Sequence, residues 1–122
     1  VVLEPPRSAL YAACDDRAEI IAMSGGIEEA AALVALNLDP SLPAMKALGV
    51  REFSAHLKGD RTLPEAINML RQATRRYAKR QSTWFRHQMP EATAIAALYS
   101  KQQADQIRQT AADLLQTSAQ AD

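Results

Sequence analysis

The sequence predicts a mainly α-helical chain, the C-terminal helical segment of a larger α/β protein, with one or two short strands that belong to that protein's sheet. Three observations carry this prediction. Apolar residues recur at helical spacing through most of the chain, between recognisable caps and breakers. Two short apolar runs, residues 1–3 and 93–99, stand far apart with no hairpin partner beside either, so each needs strands from elsewhere. The chain also opens on Val1 and not on an initiating methionine. Residues 1–116 are expected to be the C-terminal part of one domain of that protein, with residues 117–122 as a frayed tail.

The elements follow in order. Residues 1–3 read as the end of a strand, stopped by Pro5 and Pro6. Ser8 is placed to cap a helix running to Ser24, which Gly25 and Gly26 end in a left-handed turn. Glu28 and Glu29 open the next helix, where carboxylates suit the positive end of the helix dipole. It is expected to end near Leu38, before a loop with Pro40 and Pro43, and a short helix then runs to Leu57 and is closed by Gly59. Thr62 and Glu65 have the spacing of a capping box at the head of a long helix that Pro90 must end or bend. Residues 93–99 read as the second strand. Ser100 and Gln103 form another capping box, and Ala104, Ile107, Ala111 and Leu114 give the last helix a stripe to bury.

Composition sets bounds on function. Fourteen lysines and arginines balance fourteen aspartates and glutamates, which argues against a generally basic coat protein for nucleic acid but leaves room for a local basic face. Cys14 is the only cysteine, so no intramolecular disulfide forms and a cytoplasmic setting is the default. His56 and His87 stand apart and suggest no metal site. No apolar run reaches the roughly twenty residues of a membrane helix, and no signal peptide is evident.

The charge is unevenly spread. No acidic residue lies between Glu65 and Glu91, whereas Arg71, Arg75, Arg76, Lys79, Arg80 and Arg86 do. At 100° per residue, Ile67, Leu70, Thr74, Tyr77, Gln81 and Trp84 share one stripe, expected to pack inward. Arg71, Arg75, Lys79, Ser82 and Arg86 share another, with Arg76 and Arg80 on its flank. Most charged helix faces are simply solvated. Here, however, cations repeat at i,i+4 with no carboxylate on the helix to offset them, each pair repelling by ~0.2–0.5 kcal/mol. A polyanion would offset the repulsion, so nucleic acid is favoured over solvent. Basic helices that bind membranes or calmodulin have bulkier apolar faces than one containing Thr74 and Gln81. Trp84, at the edge of the apolar stripe, is read as core before stacking platform.

Two further positions stand out. Arg17 shares a stripe with Leu10, Cys14 and Ile21, which puts a cation on a face expected to be buried. It reaches the rim, or pairs with a carboxylate from another element, or holds an anion such as phosphate in a cleft. Gly49 interrupts a helical pattern between Lys46 and Arg51, which fits close approach of another backbone or tight helix packing.

Several segments together resemble the C-terminal third of bacterial tRNA dimethylallyltransferases. The most specific is residues 74–86, TRRYAKRQSTWFR, which is similar to that family's basic motif nearly residue for residue. Residues 42–52, LPAMKALGVRE, resemble the preceding block, and Arg17 followed by Gly25 and Glu29 fits the spacing of its arginine-bearing helix. The similarity runs from about Leu3 to Arg86. It implies the helical end of an α/β P-loop-like enzyme with a parallel sheet, which prenylates the adenine immediately after the anticodon. It further implies that Lys46, Ala47, Leu48, Gly49, Val50 and Arg51 touch tRNA, as do Lys79, Arg80, Gln81, Ser82, Thr83, Trp84, Phe85 and Arg86. Arg71, Arg75 and Arg76 would add general attraction for the RNA backbone, and Arg17 would contact the donor diphosphate. Val50 stands where the family often carries tyrosine, so a contact through that ring is not expected here. The resemblance implies Mg and dimethylallyl diphosphate for the intact enzyme, none of it bound by this segment alone, since the family's phosphate-binding loop and general-base aspartate have no counterpart in these residues. This segment alone is therefore expected to be inactive. The alternative from a different class is a self-standing helical module that binds nucleic acid or protein without chemistry.

Overall fold

Val2–Leu3 (β1) pairs in parallel with Ala94–Ile95 (β2), Val2 opposite Ala94 and Leu3 opposite Ile95. The Val2 amide donates to the Thr93 carbonyl at 2.9 Å and the Glu4 amide to that of Ile95 at 2.8 Å. A parallel pair needs a long crossover, and here nearly the whole helical chain lies between the two strands. In this computed structural model, which describes residues 1–119, five helices follow β1 in the order α1 Arg7–Met23, α2 Gly26–Ala35, α3 Val50–Leu57, α4 Leu63–Gln88 and, after β2, α5 Lys101–Ala119. A 3₁₀ turn, Pro43–Lys46, precedes α3. Mainly helical with a short parallel pair is the fold class expected from the sequence.

Two compact units divide the chain, one of Tyr11–Arg80 and one of Val1–Leu10 with the residues from Gln81 onward. In the first, Ala18 and Ala22 of α1, Ala30 of α2, Phe53 of α3 and Ala66 and Leu70 of α4 form the buried cluster, with Ile21, Ile27 and Ile67 packed against it. Phe53 and Leu70 are its largest fully buried side chains, and burying each contributes about 1.5–3 kcal/mol. The rest of the cluster is alanine, which lets helices lie close together. In the second unit, Ile95 of β2 is buried and Arg86 pairs with Glu4 at 2.8 Å.

Several boundaries differ from the expectation, each for a local reason. α1 begins at Arg7 with the Leu10 amide bonded to the Pro6 carbonyl, so Ser8 lies inside the helix and does not cap it. α2 stops at Ala35, and Asn37 takes a left-handed φ of 49°, which asparagine tolerates better than most residues. The short helix before Leu57 is two pieces, the 3₁₀ turn and α3, broken at Gly49. The second strand covers Ala94–Ile95 and not the whole of residues 93–99. In α5, Ala104 and Ile107 are half-buried and Ala111 is exposed, so the expected buried stripe is not formed at these positions; the side chain of Leu114 lies outside what the structure describes. Ser100 Oγ bonds Gln103 Oε1 at the head of α5, which is helical through Ala119, and the last three residues of the expected frayed tail, 120–122, lie outside the described residues.

The Thr62–Glu65 box is formed as the spacing requires. The Thr62 amide donates to Glu65 Oε2 at 2.8 Å and the Glu65 amide to Thr62 Oγ1 at 3.4 Å. Two of the orphan amides at the head of α4 are thereby satisfied.

Candidate nucleic-acid interface

The buried stripe of α4 is Ala66, Leu70 and Ala78, with Thr74 half-buried between them and bonding back to the Leu70 carbonyl at 2.8 Å. Leu70 with the small residues Ala66, Thr74 and Ala78, at four-residue spacing, replaces the expected stripe that continued through Tyr77 and Trp84. Tyr77, Gln81 and Trp84, all expected on the packed face, are exposed. Trp84 is 56% exposed and meets Phe85 edge to face at 5.2 Å between ring centres. It is therefore a surface aromatic, and the reading of Trp84 as core does not hold.

The cations of α4 fall into two groups. Arg75 forms a forked pair with Asp15 of α1, Nε to Oδ1 at 2.7 Å and Nη2 to Oδ2, and its guanidinium lies 5.6 Å from the centre of the Tyr11 ring. Arg71 Nη2 bonds Glu19 Oε1 one turn further along α1. Arg75's hydrogen bond holds the Asp15 carboxyl below the usual carboxylate range, and the same bond raises the guanidinium. The repulsion read from α4 alone is thus offset at these two positions by carboxylates of another helix, which corrects the expectation that both arginines stand uncompensated. Arg76, Lys79, Arg80 and Arg86 remain exposed. Arg76 Nε bonds the Gln72 carbonyl at 3.3 Å, the Arg80 guanidinium lies 5.7 Å from the Tyr77 ring centre, and Arg86 has Glu4. Of the remaining residues expected to touch tRNA, Ser82 and Phe85 are half-buried and Thr83 is exposed.

The second expected contact region is backbone-built. Gly49 has φ 99°, a conformation side chains disfavour, and sits at the N-terminal cap of α3 and not within a helix. Its amide donates to Glu52 Oε2 at 3.0 Å, and its carbonyl accepts from the Phe53 amide at 2.9 Å. A Cβ there would touch the Phe53 ring at an ordinary 3.4 Å, so the glycine answers to backbone conformation and not to lack of space. Lys46 and Arg51 flank it, both exposed, and with Ala47, Leu48 and Val50 they line a cleft of about 660 Å³ whose wall also includes Lys58 and Ser54. Glu52 lines it too, but its carboxylate is buried and committed to Gly49. The cleft therefore presents cations over an apolar floor that includes Val34, Leu38 and Met45.

Arg17 is exposed, and the buried stripe of α1 is Cys14, Ala18 and Ala22. A cation on a buried face is therefore not what the structure holds; one step round the helix separates Arg17 from that stripe. No ion pair joins it to a described residue, so it reaches the solvent-facing rim and is not held by another element's carboxylate. Burial raises the Cys14 thiol, as for an unreactive packed cysteine. Sequence reasoning missed Asp15, Glu19, Tyr11 and Lys58. The i,i+4 spacing of Asp15 and Glu19, matching that of Arg71 and Arg75, was the available signal for the first two.

Fold and surface together define the helical part of an α/β protein with two exposed cationic regions. The chain belongs to the IPP transferase family, whose model matches residues 1–88. It is 61% identical over 89 residues to a tRNA dimethylallyltransferase of Phenylobacterium zucineum and 59% identical over 92 residues to one of Rhodospirillum centenum, covering 73% and 75% of this chain. In both cases it spans 29% of the relative's length. Among solved structures it resembles the full-length tRNA isopentenylpyrophosphate transferase of Bacillus halodurans, with a TM-score of 0.83 at 30% identity over 97% of this chain and 39% of that one. The tRNA delta(2)-isopentenylpyrophosphate transferase of Staphylococcus epidermidis gives 0.78 at 27% identity, over 91% and 36%.

Proposed function

We propose that this chain is the tRNA-gripping C-terminal portion of a tRNA dimethylallyltransferase, which prenylates the adenine immediately after the anticodon with dimethylallyl diphosphate. The observation that carries the reading is the pair of exposed cationic regions, the outer turns of α4 and the Lys46–Arg51 cleft, in a chain of this family. An adenine that reacts must leave its stack, and the protein must hold the anticodon arm around it. Residues 79–86 suit phosphates and exposed bases, with Trp84 open for stacking. Lys46 and Arg51, at the mouth of a cleft with an apolar floor, suit a nucleotide removed from its neighbours.

Arg17, exposed and without an ion pair, is assigned to the donor diphosphate, where it would stabilise charge on the leaving group. Among the described residues no three histidines, cysteines or carboxylates converge as candidate metal ligands, and no step is derived through Mg. No described helix is long and apolar enough to cross a membrane.

The test is a salt series of tRNA binding by the full-length enzyme. Replacing Lys79 and Arg80 by glutamine should weaken binding and reduce the logarithmic salt slope by about 0.7 per lost contact in a single-stranded region. An unchanged slope would sink the grip. Arg17→Ala in the same assay should keep tRNA affinity and lose turnover; normal turnover returns Arg17 to the solvated surface. A self-standing binding module would show tRNA affinity with no prenyl transfer by the full-length protein.

A further inference from the structure

The rungs between α1 and α4 form a ladder. Asp15 faces Arg75 and Glu19 faces Arg71, the carboxylates one turn apart on one helix and the arginines one turn apart on the other, running in opposite senses. The Arg75 rung is bidentate, the geometry in which a guanidinium binds either a carboxylate or a phosphate most tightly. Both arginines keep about a third of their side-chain surface in solvent, 32% for Arg71 and 39% for Arg75. They are therefore near enough to the surface to meet RNA and are already occupied by carboxylates. Arg76 and Arg80, on the same helix, have no carboxylate partner among the described residues.

A free arginine on this helix would bind any phosphodiester, whatever the sequence or shape of the RNA. A paired one gains little from doing so, because phosphate must first displace a carboxylate of equal geometry. We propose that Asp15 and Glu19 are specificity-determining residues. By holding Arg75 and Arg71, they withhold the first half of α4 from indiscriminate phosphate binding and confine the RNA grip to its later turns. The proposal rests on the reading of α4 as an RNA-binding helix. It goes beyond that reading in assigning a role to two acidic residues that touch no RNA.

The experiment compares three double variants of the full-length protein, each bound to tRNA and to oligouridylate across a salt series. In Asp15→Asn/Glu19→Gln each side chain keeps one acceptor oxygen, the other becomes an amide NH2, and the charge is gone. Oligouridylate affinity is expected to rise, its salt slope to steepen by up to about 1.4 for two freed contacts at ~0.7 each, and the preference for tRNA to narrow. Glu28→Gln/Glu29→Gln makes the same change in net charge at exposed carboxylates of α2 and should leave the slope near that of the unmodified protein. Arg71→Gln/Arg75→Gln should also keep the unmodified slope, since those arginines are already neutralised. The proposal is overturned if the Asp15/Glu19 variant matches the Glu28/Glu29 control, or if losing Arg71 and Arg75 lowers the slope. Should the Asp15/Glu19 double variant lose its helical circular dichroism, the single variants decide, with a slope change of ~0.7 expected from each. Absence of salt-dependent tRNA binding by the unmodified protein would instead refute the RNA grip itself, which keeps the two failures apart.

Discussion

Residues 46–51 and residues 79–86 are proposed to meet the same ligand but are built in opposite ways. The first region is a matter of backbone: a 3₁₀ turn, a glycine at φ 99°, a buried carboxylate capping that glycine, and a buried phenylalanine one turn on. The second is a regular helix whose cations and aromatic ring stand in solvent. A helix face needs only exposure and charge to grip a polyanion, so it tolerates substitution one side chain at a time. A cleft depends on the core beneath it. The two regions should therefore fail differently when mutated, one through folding and the other through binding.

Matched aromatic truncations give the largest expected effect. Phe53 is 1% exposed and belongs to the buried cluster, so Phe53→Ala should cost ~3–5 kcal/mol of unfolding free energy. Trp84→Ala should cost under about 1 kcal/mol, mostly its edge-to-face contact with Phe85, while weakening tRNA binding. Denaturant unfolding of the two variants measures both. Similar losses of stability would erase the distinction between a core-dependent cleft and a free-standing helix face.

Gly49→Ala comes next. The φ of 99° is strained for any side chain, and ~1–3 kcal/mol is the usual scale of such strain. The Cβ itself would find room beside the Phe53 ring. Thermal melting should thus show a clear loss of stability, and tRNA affinity should fall with it if the cleft is distorted. No loss would mean that the cap can relax to an ordinary backbone, and that the cleft is less dependent on geometry than argued.

What the sequence disclosed and what it hid divide along physical lines. The Thr62–Glu65 cap was legible because its partners lie three residues apart. The cationic gap was legible because charge on a helix is read directly from composition. The partners of Arg71 and Arg75 were not, being 52 and 60 residues away on another helix. The packed face of α4 was misjudged because Tyr77 and Trp84 outweigh alanine on any hydrophobicity scale. Close helix packing selects small residues instead, and Ala66 and Ala78 take the buried positions. Arg17 was misplaced for the same reason, its neighbours Ala18 and Ala22 carrying too little weight to define the stripe. Gly49 was noticed, but only φ distinguishes a cap from close approach by another chain segment.

The smallest effect expected is in acid, and it belongs to the other half of α4. Arg75's hydrogen bonds hold the Asp15 carboxyl below its ordinary value of 3.8. A carboxylate depressed in the folded state contributes stability that is present above the unfolded value and is lost as pH falls through the folded one. Stability should therefore show a shallow decline below about pH 3.8 that is attributable to this pair, and Asp15→Asn should lower stability slightly at neutral pH and flatten that decline, so that the two curves converge in acid. The effect stays small because both side chains are partly in water, where screening weakens ion pairs. Urea melts from pH 6 down to about 2.5, with and without Asp15→Asn, would resolve the difference. If the two curves coincide from neutral pH into acid, the pair adds nothing measurable to folding, and its role is then confined to occupying Arg75. Such a result would separate the paired turns of α4 more sharply from the exposed ones: both bear arginine, but only the exposed turns would offer it to RNA.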